Sequence, residues 1–298
     1  MRFLLATLLF AVPMAAEEPD SIEITFSPAD GTIWVGEYES ERSVTIGPGT
    51  PRTDSSSNAA RMEIRKLDSG YHVGTTTTAT ALKSNGHEIS NPMLKASEGV
   101  ELEYVIEADG QCSDVRGYEK VLESLKEKLP GPFFQQLSPL FNSAGLRKRD
   151  IAVWNQRVGS LAGKTVEIGD VWVTQETATL PSGKPIVFYT ATTVKGWADC
   201  GEDRCLELAV ASNSDREKLA AKIGEKGAAA LAEIKKPVTE QAEGTIAATG
   251  SRLVDPATTR IHSDRLERTT EGKGVIGGRG EQTFKVVEKH TYGVSLGS

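Results

Sequence analysis

The feature that most constrains this chain is a five-residue pattern that occurs twice, each time at the head of a run of strand-forming residues. Gly31-Thr-Ile-Trp-Val35 in the first half is matched by Gly169-Asp-Val-Trp-Val173 in the second. The expectation is that one structural plan is used twice, the alternative being a chance match in a chain rich in strand-forming residues. The residue types say which plan, because β-branched and aromatic side chains suit a pleated, half-buried surface.

The first half carries further strand signals at Ile22 to Phe26, Ser43 to Ile46, Met62 to Leu67, Tyr71 to Leu82 and Leu102 to Ile106. Asp68-Ser-Gly70, Asn85-Gly86 and Asp109-Gly110 supply turns. Residues 47–59, rich in Pro, Gly and Ser and lacking large apolar side chains, are expected to form a mobile connection. From Tyr118 the period changes. Tyr118, Val121, Leu122, Leu125 and Leu129 fall on one helical stripe that ends at Pro130-Gly-Pro132. Phe133 to Phe141 predicts a short helix bent at Pro139, and Val153, Trp154 and Val158 predict a third. The basic run Arg147, Lys148 and Arg149 reads as the solvated face of that helix.

The second half repeats the first in outline. Arg252 to Ile261 is the counterpart of Leu102 to Cys112, with Asp255-Pro256 in place of the Asp-Gly turn. A helical insert over 214–236 opens with a Ser-Asp cap and stops before Pro237, with a weak joint at Gly224 and Gly227. The expected fold class is α+β, with duplicated, curved, half-barrel-like antiparallel sheets and helices packed on one face of each. The expected division is a signal peptide at 1–16, a first β-meander at 17–116, a helical connection at 117–160 and a second β-meander at 161–298.

Arg2, the apolar run Phe3 to Val12, Pro13 and the small Ala15 and Ala16 read as an export signal, with Met14 leaving the cut position open by a few residues. An apolar core of about ten residues is too short to span a roughly 30 Å hydrocarbon layer, so no membrane span is expected after cleavage. The expected location is periplasmic or secreted, where disulfides persist. Cys200 and Cys205 are expected to bond, since four residues including Gly201 separate them; Cys112 is the odd thiol, and three pairings are open. The chain has 34 basic and 41 acidic residues and a net charge of −7. That balance argues against nucleic acid and anionic surfaces as partners.

Several chemistries are not written in the sequence. His72, His87, His262 and His290 are far apart and form no metal-binding spacing. Gly277-Gly278-Arg279-Gly280 lacks the lysine of a phosphate loop and reads as a hairpin turn. The acidic segment Asp199 to Asp203 lacks the alternating ligands of a calcium loop and reads as a solvated turn. No catalytic residue, metal or cofactor is expected.

Leu161-Ala-Gly-Lys-Thr-Val-Glu-Ile-Gly-Asp-Val-Trp172 resembles an element of a family of uncharacterised exported bacterial envelope proteins, in which Val-x-x-Gly-Asp-x-Trp opens the second half. Val254-Asp-Pro-Ala-Thr-Thr259 is similar to the family's Asp-x-x-Thr-Gly turn with Thr259 in place of Gly, and Ala108-Asp-Gly110 resembles the matching first-half turn. The resemblance implies an envelope protein built from β-meanders, distantly similar to periplasmic half-barrel carriers of lipids or lipoproteins. It brings no catalytic residues.

The leading expectation is a non-catalytic envelope protein that holds a lipid or other apolar ligand on a concave, partly apolar surface, with Trp34, Tyr104 and Trp172 as ligand-binding candidates. The alternative is a structural or interaction module that docks another envelope protein through strand edges and acidic loops. A hydrolase assembled from His262, Asp264 and Asp255 is the third reading.

Overall fold

The computed structural model describes residues 21–201, 203–235 and 243–297, so the export signal expected at 1–16 lies outside the described residues. The first half runs β1 (Ile22–Ile24), β2 (Ile33–Ile46), β3 (Arg52–Leu67), β4 (Gly70–Ser84), β5 (His87–Glu88), α1 (Pro92–Ser97), β6 (Glu101–Glu107) and β7 (Cys112–Arg116). A helical stretch follows: α2 (Tyr118–Lys128), α3 (Gly131–Leu137) and α4 (Ser143–Trp154), the last continued by a π-helical turn over Asn155–Gly159. The second half runs β8 (Lys164–Val166), β9 (Val171–Thr179), β10 (Pro185–Cys200), β11 (Asp203–Asn213), α5 (Arg216–Glu233), β12 (Gly244–Val254), β13 (Ile261–Ile276) and β14 (Arg279–Leu296).

The long strands form a 12-stranded sheet in the order β7-β6-β4-β3-β2-β14-β13-β12-β11-β10-β9, with β5 beside β4. The sheet is curved and not closed. Every ladder in it is antiparallel. The halves join along β2 and β14, where Tyr38 lies opposite Tyr292 and Trp34 opposite Leu296. They are tied again by the small sheet of β1 and β8, the segments that precede each copy of the Gly-x-x-Trp pattern.

The two copies of that pattern are built alike. The N–H of Gly31 donates to the carbonyl of Ile64, whose own N–H returns to Thr32, at 2.9 Å each. In the second copy Gly169 donates to Val194 at 2.8 Å and Val194 returns to Asp170 at 2.9 Å. Both glycines have positive φ, 74° and 91°, a backbone shape that L side chains rarely adopt. The Trp that follows is the second residue of its strand in both copies, and the register carries Trp34 and Trp172 onto the same face of the continuous sheet.

Residues 47–59 correct the expectation of a mobile connection: β3 begins at Arg52, and the turn is confined to 47–51. Ser43 to Ile46 likewise is the far end of β2 and not a separate strand. A strand held between two partners has its backbone groups satisfied by the ladders, so it does not need large apolar side chains to persist. Here Asp54 to Ala59 pair with both β2 and β4, and small hydroxyls complete the contact, Ser40 Oγ with Ser56 Oγ at 2.8 Å and Ser84 Oγ donating to Asp54 at 2.5 Å.

The stripe expected on α2 is realised, with Tyr118, Val121 and Leu125 buried. The joint expected in α5 is sharper than a bend. Gly224 is non-helical at φ 69°, and the Arg216 guanidinium donates to the carbonyls of Leu231 and Ile234. A straight helix would hold residues 216 and 231 roughly 22 Å apart, so the chain folds back on itself at the glycine. Leu219, Ile223 and Leu231 from both limbs pack on Val187, Tyr189 and Ala191 of β10. That is the face opposite Trp172, whereas α4 lies over the face that carries Trp34.

Candidate functional site

The candidate site lies between α4 and the sheet face it covers, where apolar side chains line a cavity. The π-helical turn that continues α4 is pinned to the edge strand β7. Asn155 accepts from the N–H of Cys112 at 2.7 Å and donates to its carbonyl at 3.0 Å, so one side chain satisfies two edge groups. Gln111 donates to the carbonyl of Gly159 at 2.6 Å, and Trp154 Nε1 to that of Gly110 at 3.0 Å. Phe26 fills the base edge-on to Trp34, Tyr71 and Trp154, with ring centroids 6.2, 5.0 and 5.8 Å away.

These contacts hold the helix across the sheet without filling the space beneath it. A cavity of about 490 Å³ remains, within the usual range for small-molecule sites. Its apolar wall includes Trp34, Met62, Tyr104, Val153, Trp154 and Val158. The Tyr104 and Trp154 rings lie 5.6 Å apart, and burial raises the Tyr104 hydroxyl far above its ordinary range, which keeps it neutral.

Three charged side chains line the cavity: Arg149, Asp150 and Arg157. Asp150 is engaged, since it accepts from Tyr118 and from Arg149 at 2.9 Å. Arg157 is placed differently. Its guanidinium carbon sits 4.9 Å from the Tyr292 ring centroid and 5.9 Å from that of Tyr38, both cavity residues. Deeper on the same sheet face a polar strip follows. Tyr38 bonds His290 Nδ1 at 2.8 Å, Arg252 pairs with Asp264 at 2.8 Å, and Glu288 takes Arg268 at 2.5 Å and Arg42 at 3.3 Å. Beyond it Val44 joins a separate apolar cluster of Leu180, Ile186, Phe188, Ile246, Phe284 and Val286.

Trp34 and Tyr104, expected as ligand residues, are thus brought to one cavity, and Trp172 is not. Trp172 packs with Trp197 against the core that β1 and β8 share with β11, and Lys164 Nζ lies 5.3 Å from its ring centroid. The sequence reading missed Tyr38, Arg157 and Tyr292. Its one signal was the helical spacing of Val153, Trp154 and Val158, which contained Arg157 without marking it.

Cys200 and Cys205 form the expected disulfide, and Cys112 is free and buried. Both disulfide sulfurs lie within 4.8 Å of a His262 nitrogen, but a disulfide offers no thiolate to a metal. The three residues weighed for hydrolysis have separate structural partners. His262 Nε2 lies 3.2 Å from Arg260 Nε, Asp264 pairs with Arg252, and Asp255 accepts from Ala257 N and Thr258 Oγ1 within its own turn. In that turn Thr259 has φ 53°, the conformation that the Gly of the resembled motif would take without strain.

No helix among the described residues is long and apolar enough to cross a membrane. No protein-family model matches the chain, and no curated protein sequence does. Among solved structures it is similar to lipovitellin, described for its lipid–protein interactions, at 11% identity and a TM-score of 0.45 over 91% of this chain. The chain spans 26% of that protein's length. It is also similar to the COG4313 outer membrane channel of Pseudomonas putida F1 at 7% identity and a TM-score of 0.18, over 94% of this chain and 100% of that one. Scores this low carry no functional argument, so what the chain does has to be read from its own cavity.

Proposed function

We propose that this chain is a non-catalytic, exported binding protein that holds an apolar or lipid-like ligand between α4 and the sheet. One observation carries the reading: a cavity of about 490 Å³ whose wall is built from Trp34, Met62, Tyr104, Val153, Trp154 and Val158, although α4 is fastened to the sheet on one side. Trp34, Met62 and Val158 are already buried, while Tyr104, Val153 and Trp154 keep apolar surface at the cavity; removing such surface from water is worth roughly 25 cal/mol for each Å², which supports an occupant.

Native mass spectrometry of protein purified from the envelope fraction, followed by organic extraction, tests this. A co-purifying lipid or other apolar molecule is the expected result. A clean apo mass, with no uptake from added lipid, sinks the reading. It would shift weight to a docking module, for which the specific observation is that β9 is an edge strand of the sheet among the described residues.

A further inference from the structure

We infer that the cavity under α4 selects an amphiphile with an anionic headgroup, a fatty carboxylate, whose charge is taken by Arg157. This rests on the binding reading above and specifies the class of ligand. The argument starts from charge pairing. Of the charged side chains lining the cavity, Asp150 is already bonded to Tyr118 and paired with Arg149. The nearby Asp264 and Glu288 are held by Arg252 and by Arg268 with Arg42.

The Arg157 guanidinium, half-buried, has no hydrogen-bond acceptor and no carboxylate partner among the described residues; its contacts are the faces of Tyr38 and Tyr292. Ring faces attract a cation, yet they leave its planar set of N–H donors unused. A half-buried guanidinium with idle donors beside an apolar wall matches a ligand that is apolar along its length and carries a planar oxygen pair at one end. The backbone behind it is fixed by a neutralised pair: Arg252, paired with Asp264, donates through Nη1 to the main-chain carbonyl of Arg157 at 3.3 Å, so Arg157 is the lining cation left without a carboxylate among the described residues. A cationic amphiphile would meet Arg157 with like charge, and a neutral one would offer its donors no charged acceptor.

Isothermal titration of the full chain with tetradecanoate, tetradecanol and tetradecyltrimethylammonium provides the test. Tetradecanoate is expected to bind about tenfold more tightly than the alcohol, as one charge-assisted hydrogen-bonded pair implies, and the ammonium compound most weakly. R157Q is expected to abolish the preference for the acid while retaining alcohol binding, and R157K to restore part of it. Unchanged thermal melting would confirm that R157Q is folded. If it is not folded, the wild-type preference and its weakening by added salt carry the test. Equal binding of acid and alcohol by the wild type would overturn this inference and leave the binding reading standing, whereas no binding of any of the three would remove both.

Discussion

The side-chain amide of Asn155 completes both backbone hydrogen bonds of Cys112, accepting at 2.7 Å and donating at 3.0 Å, and so stands in for the next strand at the edge of the sheet. Asn155→Ala leaves the N–H and C=O of a buried residue unpaired. The expected cost is about 1–3 kcal/mol, read from the urea midpoint, with faster hydrogen exchange at Cys112 than in the central strands. A loss of stability below about 0.5 kcal/mol would show that the Asn155 bridge contributes little beyond the other contacts that hold α4.

Cavity residues and their repeat counterparts separate in a binding assay. Val153 lines the cavity and is 41% exposed, so Val153→Asp puts a carboxylate at the site with little effect on folding. Retention of an apolar ligand is expected to fall about tenfold or more. Trp172→Phe, on the other copy of the motif and away from the cavity, is expected to leave retention unchanged. Equal losses in both variants would mean that the ligand lies elsewhere.

Gly110 and Gly169 share a positive φ but not a neighbourhood. A Cβ on Gly110 would lie 2.6 Å from Ala162 Cβ and 2.9 Å from Phe26 Cβ, whereas one on Gly169 meets nothing within 4 Å. Backbone strain alone costs about 1–2 kcal/mol, and forced overpacking adds about 1–3. Gly110→Ala is therefore expected to be clearly the more destabilising in chemical denaturation. Equal costs would show that Phe26 and Ala162 give way freely.

His262 and His290 both sit below their ordinary value of 6.5, in each case first because burial disfavours the charged ring. A depressed folded-state value means that the unfolded chain binds protons first as pH falls. Stability from these groups is present above pH 6.5 and is lost as pH falls toward the folded values. Denaturation midpoints are expected to drop between about pH 7.5 and pH 5.5, and His290→Gln is expected to flatten that slope. A midpoint that rises on acidification would contradict the burial of both rings. At lower pH Glu98 adds a second loss: hydrogen bonds from Thr80 and Lys95 hold it at about 2, so its contribution is present above pH 4.5 and is lost as pH falls from there to about 2.

The cysteines give a chemical readout of the fold. Burial pushes the Cys112 thiol up to about 11, so it is expected to resist alkylation in the native protein. Intact mass is expected to show no adduct when native, one when denatured and three when denatured and reduced, consistent with one disulfide and one free thiol. Replacing both disulfide cysteines by Ser is expected to cost about 2 kcal/mol, the entropy of a short closed loop. An adduct on the native protein would place Cys112 in a more open setting.

Much of the fold was legible because its signals are local. Gly31 and Gly169 show a required backbone shape, the period of Tyr118 to Leu129 shows a buried stripe, and four residues between Cys200 and Cys205 show a short loop that closes. Residues 52–59 were misread because their stability comes from β2 and β4 on either side, which a window along the chain does not contain.

By itself, then, the sequence determined the class of structure, since strand pattern, turn residues and helical period act between near neighbours. Only the tertiary structure decided that the copies join into one sheet through β2 and β14, and that Trp34 faces a cavity while Trp172 faces a packed core. It also set Arg157 over the rings of Tyr38 and Tyr292, residues of the first and last long strands. Burial and pairing depend on which distant segments meet, and that is settled by how the whole curved sheet closes against its helices, not by any one stretch of chain.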